Sequence, residues 1–143
     1  MKTTNTGSAT YEGLGKNGKG HVSTGSGALS AQPYGFNTRF EDAPGTNPEE
    51  LIGAAHASCF TMALSFKLAE AGFTEGTVTT TSEVTLEKEG GGFTVTKSAL
   101  ATKAKVAGME RSKFEELAAD AKENCPISKL LDCEITLETE FEG

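Results

Sequence analysis

The feature that most constrains this chain is a long apolar helix signal between residues 47 and 72. Asn47 can cap the helix, Pro48 suits its first position, and Glu50 lies three residues after the cap, as in a capping box. Gly72 provides a stop, so the pattern predicts a helix of about 24 residues, roughly 36 Å long. Because the helix is apolar on nearly every face, we expect it to be buried on nearly every side. A chain of 143 residues has little material to cover such a helix, so a second subunit is the economical cover.

Shorter patterns on either side of this helix predict strands and two further helices. The first 45 residues, rich in Gly, Thr and Ser, contain a hairpin pattern with Asn17-Gly18 as its turn, and residues 28–42 form an extended pattern broken at Pro33 and Gly35. The later elements are a long β-hairpin over residues 77–106, a helix over about residues 110–123, a short helix opened by Pro126 and an alternating strand near residues 134–142. N-terminal strands, a long buried central helix, a β-hairpin, a second helix plus a short helix and a C-terminal strand make an α+β order. The absence of repeats and linkers predicts one domain over residues 1–143.

The charge balance argues against a nucleic-acid partner. The chain has 20 acidic and 13 basic residues, a net charge of −7, and no cluster of Lys or Arg, whereas phosphate binding needs a cationic face. The polar N-terminus lacks the apolar region of a secretory signal, and the apolar run from Leu51 to Phe66 falls short of the ~20 residues of a membrane span. We therefore expect a cytoplasmic protein without a membrane partner.

Three cysteines, Cys59, Cys125 and Cys133, carry the candidate chemistry. A structural disulfide is unfavourable in a reducing compartment. The chain has only two histidines and no C-x-x-C pair, so zinc-ligand spacing is absent and no metal site is expected. What remains is free thiols, which are either buried and inert or reactive.

Cys59 lies in an apolar stretch of the long helix, too far from the helix start for the helix dipole to reach it with useful strength. Burial there raises a thiol pKa, so Cys59 is either an inert core thiol or a nucleophile that needs a cation from elsewhere. His56, one turn earlier, could hydrogen-bond Cys59 or be an ordinary core histidine. Arg39, between Phe36 and Phe40, is the more attractive cation, although a lone arginine is more often an ordinary surface residue.

Four further residues accompany these candidates. Glu50 is in capping-box register, which leaves Glu49 available to orient an arginine. Cys125, which Pro126 pushes out of the helical region, can cap the short helix, whose amide groups favour a thiolate; alternatively, it is a small residue that ends the preceding helix. Cys133 lies between two acidic residues that disfavour a thiolate, so we treat it as incidental.

Three segments carry a family resemblance: "PYGFNTRFE" (residues 33–41), "GTNPEELIGAAHASCFTMALS" (45–65) and "NCPISK" (124–129). Together they resemble the OsmC/Ohr family of thiol peroxidases, and in particular its osmotically inducible protein C branch. The similarity covers essentially the whole chain, with the motifs in the same order.

This resemblance implies an intertwined homodimer with an active site at each end of the subunit interface. It implies that Cys59 attacks the peroxide and becomes a sulfenic acid, and that Cys125 then resolves the sulfenic acid as a disulfide. It also implies that Arg39 and Glu49 attend the reactive thiolate. The chemistry requires no metal, haem or flavin, so no cofactor is expected. Cys133 has no counterpart in the family pattern, and its presence leaves an off-pathway disulfide open.

Helix geometry adds an inference about Glu49. Glu49 and Cys59 lie ten residues apart on one helix, about 15 Å along its axis. One chain's Glu49 cannot easily share a site with its own Cys59, whereas the partner's Glu49 could do so if the long helices of a dimer run antiparallel. We therefore expect an active site built from two chains.

The expected substrate and reductant follow from the same chemistry. The side chains available to form an apolar pocket would suit an organic hydroperoxide better than hydrogen peroxide: Phe36, Phe40, Phe60, Met62 and Ile127. The resemblance suggests that a dithiol, such as a lipoyl group, reduces the disulfide.

Two other functions stay open. A non-catalytic protein that binds a small apolar ligand would hold Cys59 as an inert thiol. A Cys–His hydrolase would pair Cys59 with His56, but a buried pair in the middle of a helix, without an evident oxyanion loop, makes that reading weak. The sequence assigns no other role to His56.

Overall fold

The structure is a computed structural model that describes residues 1–143. The chain groups into two compact units, Met1–Pro48 and Glu49–Gly143. The prediction of a single domain therefore stays a prediction, and each unit is described by itself.

The first unit is a three-stranded antiparallel sheet followed by one helical turn. Its strands, in the order β1-β2-β3, are β1 (Gly7–Glu12), β2 (Lys19–Thr24) and β3 (Gln32–Tyr34). The predicted hairpin is present, but Glu12 pairs with Lys19, so six residues connect the strands instead of a two-residue turn. Gly13 and Gly15 adopt φ values of 69° and 79°, a region that glycine enters at little cost, and this lets the longer loop form.

The extended pattern predicted for residues 28–42 is wrong after Tyr34, because Phe36–Phe40 form a short helix, α1. The hydroxyl of Thr38 stabilises this turn from both sides. The Gly35 N–H donates to Thr38 Oγ1 at 2.8 Å, and the same hydroxyl donates to the Gly35 carbonyl at 3.0 Å. A threonine three residues after a glycine can thus close a helical turn that strand propensity alone does not predict.

The second unit has a mixed three-stranded sheet covered by helices. Its elements are α2 (Pro48–Glu70, which begins at the unit boundary), β4 (Thr77–Glu89), β5 (Gly92–Lys105), α3 (Arg111–Asn124), α4 (Pro126–Leu130) and β6 (Glu134–Glu142). The strands lie in the order β4-β5-β6. β4 and β5 form the predicted hairpin, closed by Gly90 and Gly91, whereas β6 runs parallel to β5. A parallel neighbour requires a crossover, which α3 and α4 provide. The α+β fold class predicted from the sequence is confirmed.

Helix α2 ends where the glycine signal predicts. Gly72 has φ 97°, its N–H donates to the Ala69 carbonyl at 2.9 Å, and the N–H of Phe73 donates to the Leu68 carbonyl at 3.0 Å. These two bonds form a Schellman motif, with Phe73 and Leu68 at the positions of its usual hydrophobic contact. The local sequence therefore determines this helix end.

Only one stripe of α2 is buried within the chain, so burial on nearly every side is not met in a single subunit. The buried residues recur at helical spacing: Glu49, Gly53, His56, Phe60, Leu64 and Leu68. On another face, Met62 and Phe66 are 59% and 64% exposed. By length and composition alone the 23-residue helix could cross a membrane, although the apolar run from Leu51 to Phe66 within it is shorter than a span. Its packed stripe instead fits the core helix of a folded domain.

The core of the second unit lies between α2, α3 and the sheet. Phe60 and Leu64 from α2, Leu100 from β5 and Phe114 from α3 are at most 1% exposed. The ring of Phe114 stacks on that of Phe141 from β6, with centroids 4.5 Å apart and planes at 20°. This core fixes α2 beside the α3–α4 junction, and that arrangement determines which thiols meet.

Candidate active site

Cys59 and Cys125 come together although 66 positions separate them in the sequence. Cys59 lies on α2 and is half-buried. Cys125 ends α3 and caps α4, where its sulfur accepts a hydrogen bond from the Ser128 N–H at 3.3 Å and Pro126 occupies the first helical position. The two thiol groups lie near enough for each to shift the pKa of the other. The predicted cap role of Cys125 is confirmed.

The surroundings of Cys125 favour its thiolate. Burial by itself raises the pKa of Cys125, but hydrogen bonds from the Ser128 hydroxyl, the Ser128 amide, the Cys59 thiol and the Ile127 amide together lower it below the ordinary value. The Ser128 oxygen lies 3.4 Å from the Cys125 sulfur. Within one chain, Cys125 is therefore the thiol of the pair whose surroundings make ionisation easier.

The surroundings of Cys59 favour its thiol. Burial raises the pKa of Cys59, and the interaction with Cys125 raises it further, while a hydrogen bond from the Ile127 amide opposes both effects. Solvent exposure differs in the opposite sense from ease of ionisation. Cys125 is only 1% exposed, whereas Cys59 is half-buried. The more exposed sulfur is thus the one that needs an added positive charge to ionise.

His56 is the fully buried centre of a polar chain. Its Nδ1 lies 2.6 Å from Ser98 Oγ and its Nε2 lies 2.8 Å from Ser128 Oγ, while Ser98 Oγ lies 2.8 Å from Ser82 Oγ. The possible His56–Cys59 hydrogen bond is therefore replaced by bonds to two serines. Burial lowers the pKa of His56, which favours the neutral imidazole. A Cβ atom on Gly53 would lie 3.0 Å from the Ser82 carbonyl oxygen, so the missing side chain lets α2 approach β4 closely.

Glu49 is buried in the first turn of α2, whereas Glu50 is exposed. This difference agrees with Glu50 acting as a capping residue at the surface, and it leaves Glu49 available to orient an arginine. Ten residues separate Glu49 from Cys59 on the same helix, about 15 Å along the axis, so the structure does not bring Glu49 to Cys59 within one chain.

Arg39, Phe36 and Phe40 lie together on α1 of the first unit. The rings of Phe36 and Phe40 are 5.0 Å apart, and the guanidinium of Arg39 lies 5.7 Å from the centroid of the Phe40 ring. With Tyr11 and Tyr34 these residues line a cleft of about 300 Å³. Arg39 thus lies against the ring of Phe40, and its role as the cation for Cys59 stays a prediction.

The other predicted residues have different environments. Phe60 is a fully buried core residue and offers no surface to a substrate in this chain. Met62 is exposed on α2. Ile127 packs partly against the core, and hydrogen bonds from its amide lower the pKa values of Cys59 and Cys125. Burial raises the pKa of Cys133, with Asp132 and Glu134 adding to the effect and the Ser98 amide opposing it. No group of three or more His, Cys, Asp or Glu side chains forms a potential metal site.

The serines around His56 were missed by sequence reasoning. Ser128 had a local signal, because it lies three residues after the cap residue Cys125, the spacing at which a helix amide reaches its cap. Ser98 and Ser82 had none beyond a polar side chain on a strand. They lie 42 and 26 positions from His56, and only the packing of α2 on the sheet brings them to it.

Comparisons with known proteins identify relatives in sequence and in fold. A family profile described as "OsmC-like protein" matches residues 40–140. The chain is 54% identical over 137 residues to peroxiredoxin OsmC of Escherichia coli (strain K12), which covers 96% of each protein. It is 33% identical over 112 residues to the organic hydroperoxide resistance protein OhrB of Bacillus subtilis (strain 168), covering 77% of this chain and 79% of OhrB. The crystal structure of an OsmC-like protein of unknown function from Vibrio cholerae has the same fold, with a TM-score of 0.77 at 18% identity over 96% of this chain and 99% of that one.

Proposed function

The chain belongs to the OsmC-like protein family, and on that premise we infer that it is a thiol-dependent peroxidase that reduces hydroperoxides. The observation that carries this function is the pair of neighbouring thiols that shift each other's pKa, one half-buried and one buried, at the junction of α2 and α4. A non-catalytic binding protein does not require two neighbouring thiols. A Cys–His hydrolase is disfavoured because both ring nitrogens of His56 bond to serines.

We propose that Cys59 is the nucleophile and Cys125 the resolving thiol. The Cys59 thiolate attacks one oxygen of ROOH, the O–O bond breaks, and the products are the Cys59 sulfenic acid and an alkoxide that takes up a proton to become ROH. The sulfur of Cys125 then attacks the sulfur of the sulfenic acid, forming the disulfide and releasing water. Because Cys125 lies near enough to shift the pKa of Cys59, it can act before a second peroxide over-oxidises the sulfenic acid.

Arg39 and Glu49 are proposed to complete the site. The raised pKa of Cys59 means that the nucleophile needs a cation, and a guanidinium supplies a permanent positive charge that also stabilises the departing alkoxide. Glu49 can hold that guanidinium by a fork-type pair. The separation of Glu49 from Cys59 along α2 favours a site in which the partner's Glu49 serves each Cys59.

A homodimer is the proposed functional assembly, with residues 1–143 acting as one functional unit. The exposed face of α2 presents the large apolar side chains of Met62 and Phe66 beside the small residues Ala54 and Ser58, which would let a second helix approach closely. Burying this face against a second copy would satisfy the burial that the sequence predicts.

Organic hydroperoxides are the proposed substrates, with hydrogen peroxide reduced more weakly. The aromatic cleft at Phe36, Arg39 and Phe40 combines apolar rings with one cation, which suits an apolar ROOH. A dithiol, such as a lipoyl group, is proposed to reduce the disulfide to two thiols while becoming a disulfide itself. Such reduction requires a reducing compartment, so we propose a cytoplasmic location.

Thiol counting tests the function. One equivalent of tert-butyl hydroperoxide should rapidly remove two free thiols from the protein, and a dithiol should restore both. Cys59→Ser should abolish peroxide consumption, whereas Cys125→Ser should complete one oxidation and then fail to cycle. Full turnover by Cys59→Ser would disprove the assigned roles, and an unchanged thiol count in the wild-type protein would disprove the peroxidase function.

A further inference from the structure

The reaction as proposed leaves His56 without a role, although it is fully buried and bonded at both ring nitrogens. An apolar side chain could fill this position in α2 without needing two polar partners. One of those partners, Ser128, contacts the Cys125 sulfur through both its hydroxyl and its amide. Packing alone therefore does not explain a histidine here.

We propose that Ser128 and His56 form a proton relay that deprotonates Cys125 when it resolves the Cys59 sulfenic acid. This inference rests on the proposed function and adds residues to it. Ser128 touches the reacting sulfur and passes its proton directly. His56 acts through Ser128 and is a positioning and relay residue, with Ser98 and Ser82 behind it.

The need for a relay follows from burial. Cys125 is 1% exposed, so neither hydroxide nor a buffer base can reach its thiol directly. The far end of this series of hydrogen bonds is Ser82, which is half-buried on β4 and is therefore closer to solvent than the Cys125 sulfur. Each link between these ends is a hydrogen bond, with heavy-atom distances of 3.4, 2.8, 2.6 and 2.8 Å in order from Cys125 to Ser82.

The proton balance closes without a charged histidine. At the start, the Cys125 thiol donates to Ser128, the Ser128 hydroxyl donates to His56 Nε2, His56 Nδ1–H donates to Ser98, and the Ser98 hydroxyl donates to Ser82. Each proton moves one step along this chain, and Ser82 releases its own hydroxyl proton. His56 holds one proton before and after, moved from Nδ1 to Nε2, which suits a ring that burial keeps neutral.

The sulfur chemistry then follows. The Cys125 thiolate, now accepting hydrogen bonds from the Ser128 hydroxyl and amide, attacks the sulfur of Cys59–S–OH. The S–S bond forms, the S–O bond breaks, and the departing hydroxide takes up the released proton as water. No oxidant beyond the original peroxide is required.

Two variants separate a relay from a structural contact. Ser128→Ala removes the hydroxyl link and keeps the amide that bonds Cys125. His56→Gln retains a hydrogen-bonding group that can reach Ser128 but has no second tautomer with which to pass a proton. Thr102→Val is the matched control, because it removes a hydroxyl that is similarly buried, with Thr102 3% exposed. That hydroxyl hydrogen-bonds to Thr80 and is not linked to His56.

The experiment is a single turnover with one equivalent of tert-butyl hydroperoxide, quenched at intervals and analysed by mass spectrometry, with dimedone to trap Cys59 sulfenic acid. In Ser128→Ala and His56→Gln we expect Cys59 to oxidise at the wild-type rate and the disulfide to form about tenfold more slowly or worse, with sulfenic acid accumulating. Thr102→Val should match the wild type in both steps. Unchanged disulfide formation in both relay variants would overturn the relay, as would an equal slowing of both steps.

A second measurement needs no peroxide. In a Cys59→Ser background, ultraviolet thiolate titration should give Cys125 a higher pKa with Ser128→Ala than with Ser128 intact, and an equal pKa would count against the relay even if His56→Gln does not fold. A wild-type protein that forms no Cys59–Cys125 disulfide would instead refute the proposed function. A wild-type protein that forms it, with variants that form it equally fast, would refute the relay alone.

Discussion

Mixing two impaired variants should restore activity if each site is built from two chains. The variants are Glu49→Ala, which lacks the residue proposed to orient the guanidinium, and Cys59→Ser, which lacks the proposed nucleophile. Both positions lie on α2, where ten residues at 1.5 Å each place them about 15 Å apart along the axis. They also point about 80° apart around the helix, because ten residues at 3.6 per turn fall short of three full turns by that angle. A single chain therefore cannot place both groups at one peroxide.

The size of the recovery follows from dimer statistics. In a heterodimer of the two variants, one site would combine both lesions and the other would keep both wild-type groups, so the isolated heterodimer should have half the wild-type activity. In a mixture refolded at equal concentrations, half of the dimers are heterodimers, and about a quarter of all sites should be intact.

The assay is hydroperoxide consumption with a dithiol reductant, measured for each parent, for the mixture and for the purified heterodimer. Native mass spectrometry of differently tagged subunits confirms that heterodimers have formed. If Glu49 acts within its own chain, every heterodimer site carries one lesion. Heterodimers that form but consume peroxide no faster than the parents would therefore refute the shared site.

Three further substitutions test separate parts of the structure. Arg39→Ala should raise the pKa of Cys59 and slow its oxidation by roughly a hundredfold, because the charge that offsets burial is lost; an unaltered Cys59 pKa by ultraviolet thiolate titration would remove Arg39 from the site. Cys133→Ser should change peroxidase activity by less than roughly twofold, since burial and the neighbouring carboxylates hold this thiol protonated; loss of the oxidised protein's disulfide would make Cys133 the resolving residue instead. Phe114→Ala should lower the free energy of unfolding by about 3–5 kcal/mol, because the ring is fully buried and stacks on Phe141; urea denaturation measures this, and a loss below ~1 kcal/mol would contradict the packing argument.

Elements whose signals are local were predictable from the sequence. The end of α2 needed only Gly72, whose left-handed φ closes a Schellman motif with its immediate neighbours. The position of Cys125 at the start of α4 needed only Pro126, which ends one helix and opens the next. The hairpin of β4 and β5 needed its β-branched runs and the Gly90–Gly91 turn. In each case the determining interactions lie within a few residues of one another.

Other features were decided only by tertiary structure. The parallel pairing of β6 with β5 depends on α3 and α4 packing over the sheet, which no strand pattern encodes. Family resemblance predicted that Cys59 and Cys125 would be neighbours, and the helix cap predicted that amides would favour a Cys125 thiolate. The contributions of the Ser128 hydroxyl and of Cys59 to the lowered pKa of Cys125 came only from the tertiary structure. The exposed face of α2 likewise shows that apolar residues in a sequence specify a need for burial without specifying which surface provides it.

The environment of His56 gives the physical reason for this division. Backbone preferences, caps and turns act between neighbours in the chain, so a sequence displays them directly. Hydrogen bonds from one imidazole to Ser98 and Ser128 join residues 42 and 72 positions away, and they form only after α2 has packed against the sheet and beside α4. Hydrophobic burial drives that packing and is non-directional, so it brings polar groups together without leaving a pattern that the sequence could display in advance.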